Sequence, residues 1–377
     1  MLRGFVLRVV VVVGVAGVSL VSAAQLAPAR SASPAAHRPS KCVDTPPVHS
    51  NRLVFPELRK LGTRVWSSGL SWANVAPKRP ADPTSPDDPA YQWPAAFGRE
   101  LSQARTNGIE PVLNVSGFPA WSNGGRDSAW APKNPQDFAN FMAAAVKEYP
   151  QVRRWQIISE PGSFYNFRPQ GGNGETAPHL YARLLDAAYA SMHAARPNVV
   201  VIGGGVHPYG LNDEHTTAPD TFITNMVLPD GRRPRLDMFA INPYTERPLK
   251  LTLGKRRLRV DFDDLDWLGH RLDLLWPRRH LRIFIDEFGW NTEHEALGWF
   301  YYVSRKQQAR QLPRAFALAA KFGRVDTMCW YLLYDQAPAR NSSQWLNWTS
   351  GLRTWHGLKK PAWRAFARVP PGPSRGG

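Results

Sequence analysis

From Gly62 onward, short apolar segments alternate with longer stretches of helical periodicity, and this alternation leaves few folds open. Strands separated by helices pair in parallel, because each return to the same edge of a sheet needs a crossover. Segments centred on Leu113, Ile157 and Val201 lie 44 residues apart, as do those centred on Phe284 and Met328. Each interval holds one strand, one helix and two loops. Val199-Val200-Val201-Ile202 is wholly β-branched, which suits a sheet covered on both faces.

Seven strands are expected over residues 64–67, 109–115, 152–159, 198–202, 236–242, 281–287 and 325–333. Helices are expected over 55–60, 94–107, 178–195, 263–276 and 307–322, the last closing at Gly323. The clearest helix starts at Asn134, a capping residue, with Pro135 in the first turn. Its apolar stripe is Phe138, Phe141, Met142, Ala145, Val146 and Tyr149. An eighth strand must come from residues 42–54. Eight such units make an α/β fold, a single (β/α)8 TIM barrel over residues 42–370. Gly203-Gly204-Gly205 opens no helix with further glycines at dinucleotide-binding spacing.

The ends read differently. Arg3 and Arg8, the apolar run over 9–21 and the small residues Ser22-Ala23-Ala24 describe a signal peptide over 1–24. An uncleaved anchor is the alternative. Residues 25–41 read as a flexible Ala/Pro/Ser linker and 371–377 as a disordered tail. The mature chain is expected to be secreted and to carry no membrane span. Of the two cysteines, Cys329 sits in an apolar strand, either as a core thiol or paired with Cys42 across neighbouring first and last strands. The net charge of +17 favours anionic surfaces, including cell-surface polymers; no recognised nucleic-acid motif accompanies it.

Two of the strands end in acid. Residues 155–162 read Trp-Gln-Ile-Ile-Ser-Glu-Pro-Gly, around Glu160, and residues 283–290 read Ile-Phe-Ile-Asp-Glu-Phe-Gly-Trp, around Glu287. By count these are strands four and seven, whose C-terminal ends share the mouth where barrel active sites are built. Two convergent carboxyl groups are what glycoside cleavage requires. One protonates the leaving oxygen and the other attacks or stabilises an oxocarbenium-like carbon. A non-catalytic carbohydrate- or cell-wall-binding barrel is the competing reading.

These motifs resemble those of clan A retaining glycoside hydrolases, especially bacterial proteins related to family 39, over roughly residues 55–368. The resemblance implies that Glu160 is the acid/base and Glu287 the nucleophile, each on its barrel strand. It matches Phe118-Pro119-Ala120-Trp121 after strand three, Ser159-Glu160-Pro161 after strand four and Asn242-Pro243-Tyr244 after strand six. It also matches Glu287-Phe288-Gly289-Trp290 on strand seven and Trp330-Tyr331 on strand eight. Three positions depart from the pattern. Ser159 stands for an Asn that bonds the sugar 2-hydroxyl, Asn242 for a His, and Ser67 for an Asp.

Further substrate-binding candidates are Arg64, Trp66, Trp121, Ser159, Asn242, Tyr244, Trp290 and Trp330. Arg64 would orient Glu287 or substrate, Tyr244 would bond the nucleophile, and Trp290 with Trp330 would form a sugar platform. Asp286 is expected on the opposite face of its strand, as a structural residue, and Asp335 either touches substrate or closes a loop. His207, His294 and His356 lack ligand spacing, so neither a catalytic metal nor a cofactor is expected.

Overall fold

The computed structural model describes residues 37–245, 249, 259–293, 302–338 and 347–372. The signal-peptide segment, most of the linker, residues 373–377 and His294 lie outside them. Eight parallel strands close into a barrel: β1 (Ser40–Asp44), β2 (Val65–Ser71), β3 (Glu110–Ser116), β4 (Arg154–Ile157), β5 (Val200–Val206), β6 (Met238–Ile241), β7 (Arg282–Phe288) and β8 (Val325–Tyr331). The eighth strand sought near Cys42 is β1, and it opens inside the expected linker, at Ser40. The rest of that stretch forms a small hairpin, Val48–His49 against Arg52–Leu53, and then the helix Phe55–Lys60. β2 runs four residues further than the expected end at Ser67. β5 continues through the glycines, so Gly203, Gly204 and Gly205 lie within a strand.

The strand period decides what is inside. Cys42, Val65, Val112, Ile202, Met238, Ala240, Phe284 and Cys329 pack together in the barrel lumen. Their strand neighbours Val43, Trp66, Leu113, Val201, Phe239, Ile285, Met328 and Trp330 pack under the helices. The helix Pro135–Glu148 starts as expected, with the Asn134 side chain accepting from Gln136 N at 3.0 Å. Arg305–Phe322 begins at a Ser304–Gln307 capping box and stops at Gly323 in the left-handed region.

The seam joins the ends of the chain. β1 pairs with both β2 and β8, with Cys42 beside Val65 on one side and Cys329 on the other. Cys42 and Cys329 form a disulfide. At the opposite mouth from the strand C-termini, buried Lys41 donates to the carbonyls of Leu61, Phe366 and Val369 at 2.5, 2.7 and 3.0 Å. Burial, and then the nearby Arg64 charge, pull its ammonium down to about 8. No described helix is long and apolar enough to cross a membrane.

Candidate active site

Glu160 stands three residues beyond Ile157, the last residue of β4, in a turn held in unusual backbone. Ile158 and Glu160 have φ of 59° and 51°, a region costly for non-glycine residues and for a β-branched one above all. The turn is fixed from outside: Ile158 N donates to Val115 O at 3.1 Å and Glu160 N to Gly205 O at 2.7 Å. Gly205 sits where the β5–β6 register shifts, and a Cβ there would stand 2.8 Å from Ile158 O. The glycine run is therefore the mould for the Glu160 turn.

Glu287 lies within β7, next to its last residue, where β7 faces a register irregularity of β8. Both glutamates take a donor from one turn. After β6, Asn242 Nδ2 donates to Glu160 Oε1 at 3.1 Å, and Tyr244 OH donates to Glu287 Oε2 at 3.1 Å. The Tyr244 ring is in turn stacked on Trp348, with centroids 5.2 Å apart.

Ser159 does not stand alone either. Its Oγ donates to Asp286 Oδ2 at 2.6 Å and accepts from Asn242 Nδ2 at 3.2 Å. Gln156 Nε2 donates to the same Asp286 oxygen at 2.7 Å. The expectation for Asp286 is thereby corrected. It shares the lumen face with Phe284 and joins the turn of Glu160, because Glu287 at the strand end is free of the strict alternation that placed Asp286 elsewhere. Asp286 Oδ1, Gln156 Oε1 and Asn242 Oδ1 are buried acceptors with no protein donor.

Asp44, at the end of β1, was not singled out from the sequence. Ser67 Oγ donates to it at 2.8 Å, so an Asp from β1 reaches the place where the resemblance expects one on β2. The signal was there, in a charged residue ending a strand. Tyr331, the last residue of β8, was quoted only as part of a motif, yet it faces these groups.

The electrostatics follow from four acids, Asp44, Glu160, Asp286 and Glu287, with no ion pair to a cation among the described residues. Glu287 is pushed well above the ordinary carboxyl range, by burial first and then by Asp286, Glu160 and Asp44; the Tyr244 bond pulls the other way. Asp44 rises to about 8, through burial and then Asp286, against the Ser67 bond. Asp286 rises to about 6: burial outweighs the bonds from Ser159 and Gln156, and Glu160 adds to the rise. Burial, with Glu287 next, also holds the Tyr244 hydroxyl in its protonated, donating form.

Three other expectations are overturned. Trp66 is fully buried under the helices, edge-on to Phe55, with Nε1 donating to Thr45 O at 2.8 Å. Trp290 and Trp330, 2% and 0% exposed, pack on Phe288 and each other, and Trp330 Nε1 donates to Ser350 O at 2.9 Å. No platform is available from rings with no open face. Arg64 precedes β2 at its N-terminal end, beside Lys41 and about 10 Å of strand away from Ser67. Trp121 lies after β3, but its N–H is given to Ala76 O at 2.8 Å and Arg79 covers its ring at 4.4 Å. Asp335 closes a loop: it accepts from Lys360 Nζ at 2.7 Å and Gly351 N at 2.8 Å. Among the described residues no group of His, Cys, Asp and Glu has the arrangement of a metal site.

Solved structures carry this barrel. The chain has the fold of the clan A glycoside hydrolases. A family 39 glycoside hydrolase from Bacteroides cellulosilyticus WH2 is similar at TM-score 0.64 and 19% identity, over 89% of this chain and 64% of that one. The family 39 enzyme from Xanthomonas axonopodis pv. citri gives 0.57 at 16% identity, over 88% and 65%. A monomeric β-xylosidase from Caulobacter crescentus CB15 gives 0.57 at 15% identity, over 88% and 69%. The chain thus spans under two thirds of the length of the first two. No family model matches the sequence, and no curated protein is similar to it.

Proposed function

We propose that this chain is a secreted glycoside hydrolase that cleaves an oligo- or polysaccharide with retention of configuration, through a double displacement by Glu160 and Glu287. One observation carries the reading: the single turn Asn242-Pro243-Tyr244 supplies a hydrogen-bond donor to each glutamate, from between the strands that bear them. A donor to a carboxylate favours its charged form and fixes its direction. Glu160 protonates the glycosidic oxygen as the bond breaks. Glu287 attacks the anomeric carbon, and the glycosyl ester forms. Glu160, now a base, takes a proton from water, which releases the sugar and restores both groups. Burial and the neighbouring acids raise Glu287 well above the ordinary carboxyl range, so its ionisation is the step that the surroundings must favour. The Tyr244 bond opposes that rise and favours the charged form that attacks.

Export is supported by the Cys42–Cys329 disulfide, a cross-link of oxidising compartments, together with the leader-like residues 1–24. The charge of +17 suits a substrate presented on an anionic cell-surface polymer.

The test is a screen of aryl glycosides and polysaccharides beside Glu160→Gln and Glu287→Gln. Turnover that both variants lose supports the reading. Sugar binding without turnover by the native chain replaces it with a carbohydrate-binding role.

A further inference from the structure

An opening lies at the barrel mouth beside the two glutamates, with neither of them in its wall. A cavity of about 580 Å³ lies over the ends of β1, β2 and β8. Its wall includes Asp44, His49, Tyr331, Tyr334, Asp335 and Trp355. Its size is within the roughly 300–1,000 Å³ range of small-molecule sites. Two of these residues belong equally to the carboxyl cluster: Asp44 and Tyr331 both interact electrostatically with Glu287. The cavity therefore opens directly from the acids.

The lining is of mixed character. His49 and Tyr334 stack in parallel at 3.6 Å, and Trp355 remains 40% exposed. Flat apolar faces beside carboxylate acceptors match a pyranose, which has apolar C–H faces and a rim of hydroxyl donors. Among the described residues the Asp44 carboxyl accepts from Ser67, leaving lone pairs for a hydroxyl.

Topology sets which sugar sits there. In a ring of eight strands β8 lies diametrically across from β4, which delivers Glu160. The leaving group must pass Glu160, since that group protonates it. We infer that the cavity over β1, β2 and β8 is a second sugar subsite, on the side of the substrate away from the leaving group, so that the chain grips at least two linked sugars before the scissile bond. The inference rests on the roles given above to Glu160 and Glu287.

The experiment compares aryl monosaccharides with the aryl disaccharides of the same sugar, such as glucoside with cellobioside and xyloside with xylobioside. The native protein should prefer the disaccharide in kcat/KM by about tenfold or more, the factor one good ring contact contributes. Trp355→Ala should lower that preference about tenfold, and Trp355→Phe should recover much of it. Equal use of both lengths by the native protein, or an unchanged ratio in Trp355→Ala, overturns the subsite. Calorimetry with cellobiose and xylobiose separates the two readings. Binding that Trp355→Ala weakens, with no turnover of any aryl glycoside, keeps the subsite and sinks the glycosidase role. Turnover of monosaccharides with no disaccharide binding does the reverse.

Discussion

Ser159 donates to Asp286 at 2.6 Å, so the turn that carries Glu160 is tied to the residue preceding Glu287. The tie passes through Asn242 to Glu160 itself. Its electrostatic consequence is readable. Asp286, when charged, raises Glu287, so replacing it with neutral Asn should let Glu287 ionise at lower pH. The acidic limb of kcat/KM against pH should lie above the ordinary carboxyl range in the native protein and move toward acid in Asp286→Asn. A limb that stays in place would remove Asp286 from the electrostatics of Glu287.

The two glutamates should fail differently. Glu160→Ala should lose about 10²–10⁴-fold on poor leaving groups, the usual worth of acid–base help, and much less on activated aryl groups. Added azide should speed its second step. Glu287→Ala should lose retaining turnover on every substrate. Identical leaving-group dependence in both variants would argue against separate roles, as would NMR of products showing an inverted anomeric centre.

Trp290 and Trp330 are packing residues, and their removal should read as instability. Trp330→Ala leaves a cavity and removes one of the two donors to the Ser350 carbonyl, the other being Gln308 Nε2, at a cost of about 3–5 kcal/mol. Denaturant unfolding measures this. A variant as stable as the native chain but weak in sugar binding would restore the platform.

Asp44 makes stability depend on pH. Its folded-state value of about 8 lies above the unfolded one, so the neutral group's contribution is intact below about pH 4 and is lost as pH rises through 8. Asp44→Asn should thus gain melting temperature relative to the native protein across that window. A difference independent of pH would contradict the burial of a titrating carboxyl there.

How much the sequence disclosed depends on what each residue answers to. The barrel and both glutamates were legible because strand spacing, Pro and Gly turns and terminal acids are local signals. The helix at Pro135 was legible from its cap alone. Trp66, Trp290 and Trp330 misled because a tryptophan near an acid looks the same in sequence whether it faces the lumen or a helix. Strand phase decides that, and the expected start of β2 gave no reason to place Arg64 at the far end of a seven-residue strand. Asp44 was missed because β1 is short and precedes any helix of its own size. Asp286 was assigned by alternation, which fails at the last residues of a barrel strand.

The bond between Cys42 and Cys329 joins residues 287 apart in the chain, with Glu160 and Glu287 between them. A protease that cuts once anywhere within that loop releases no fragment. The two pieces stay covalently joined, and β1, which precedes the cut, remains beside β8, which follows it. Nicked protein should therefore migrate as one species until a reductant is added, and a single clip at an exposed loop need not end the life of the barrel.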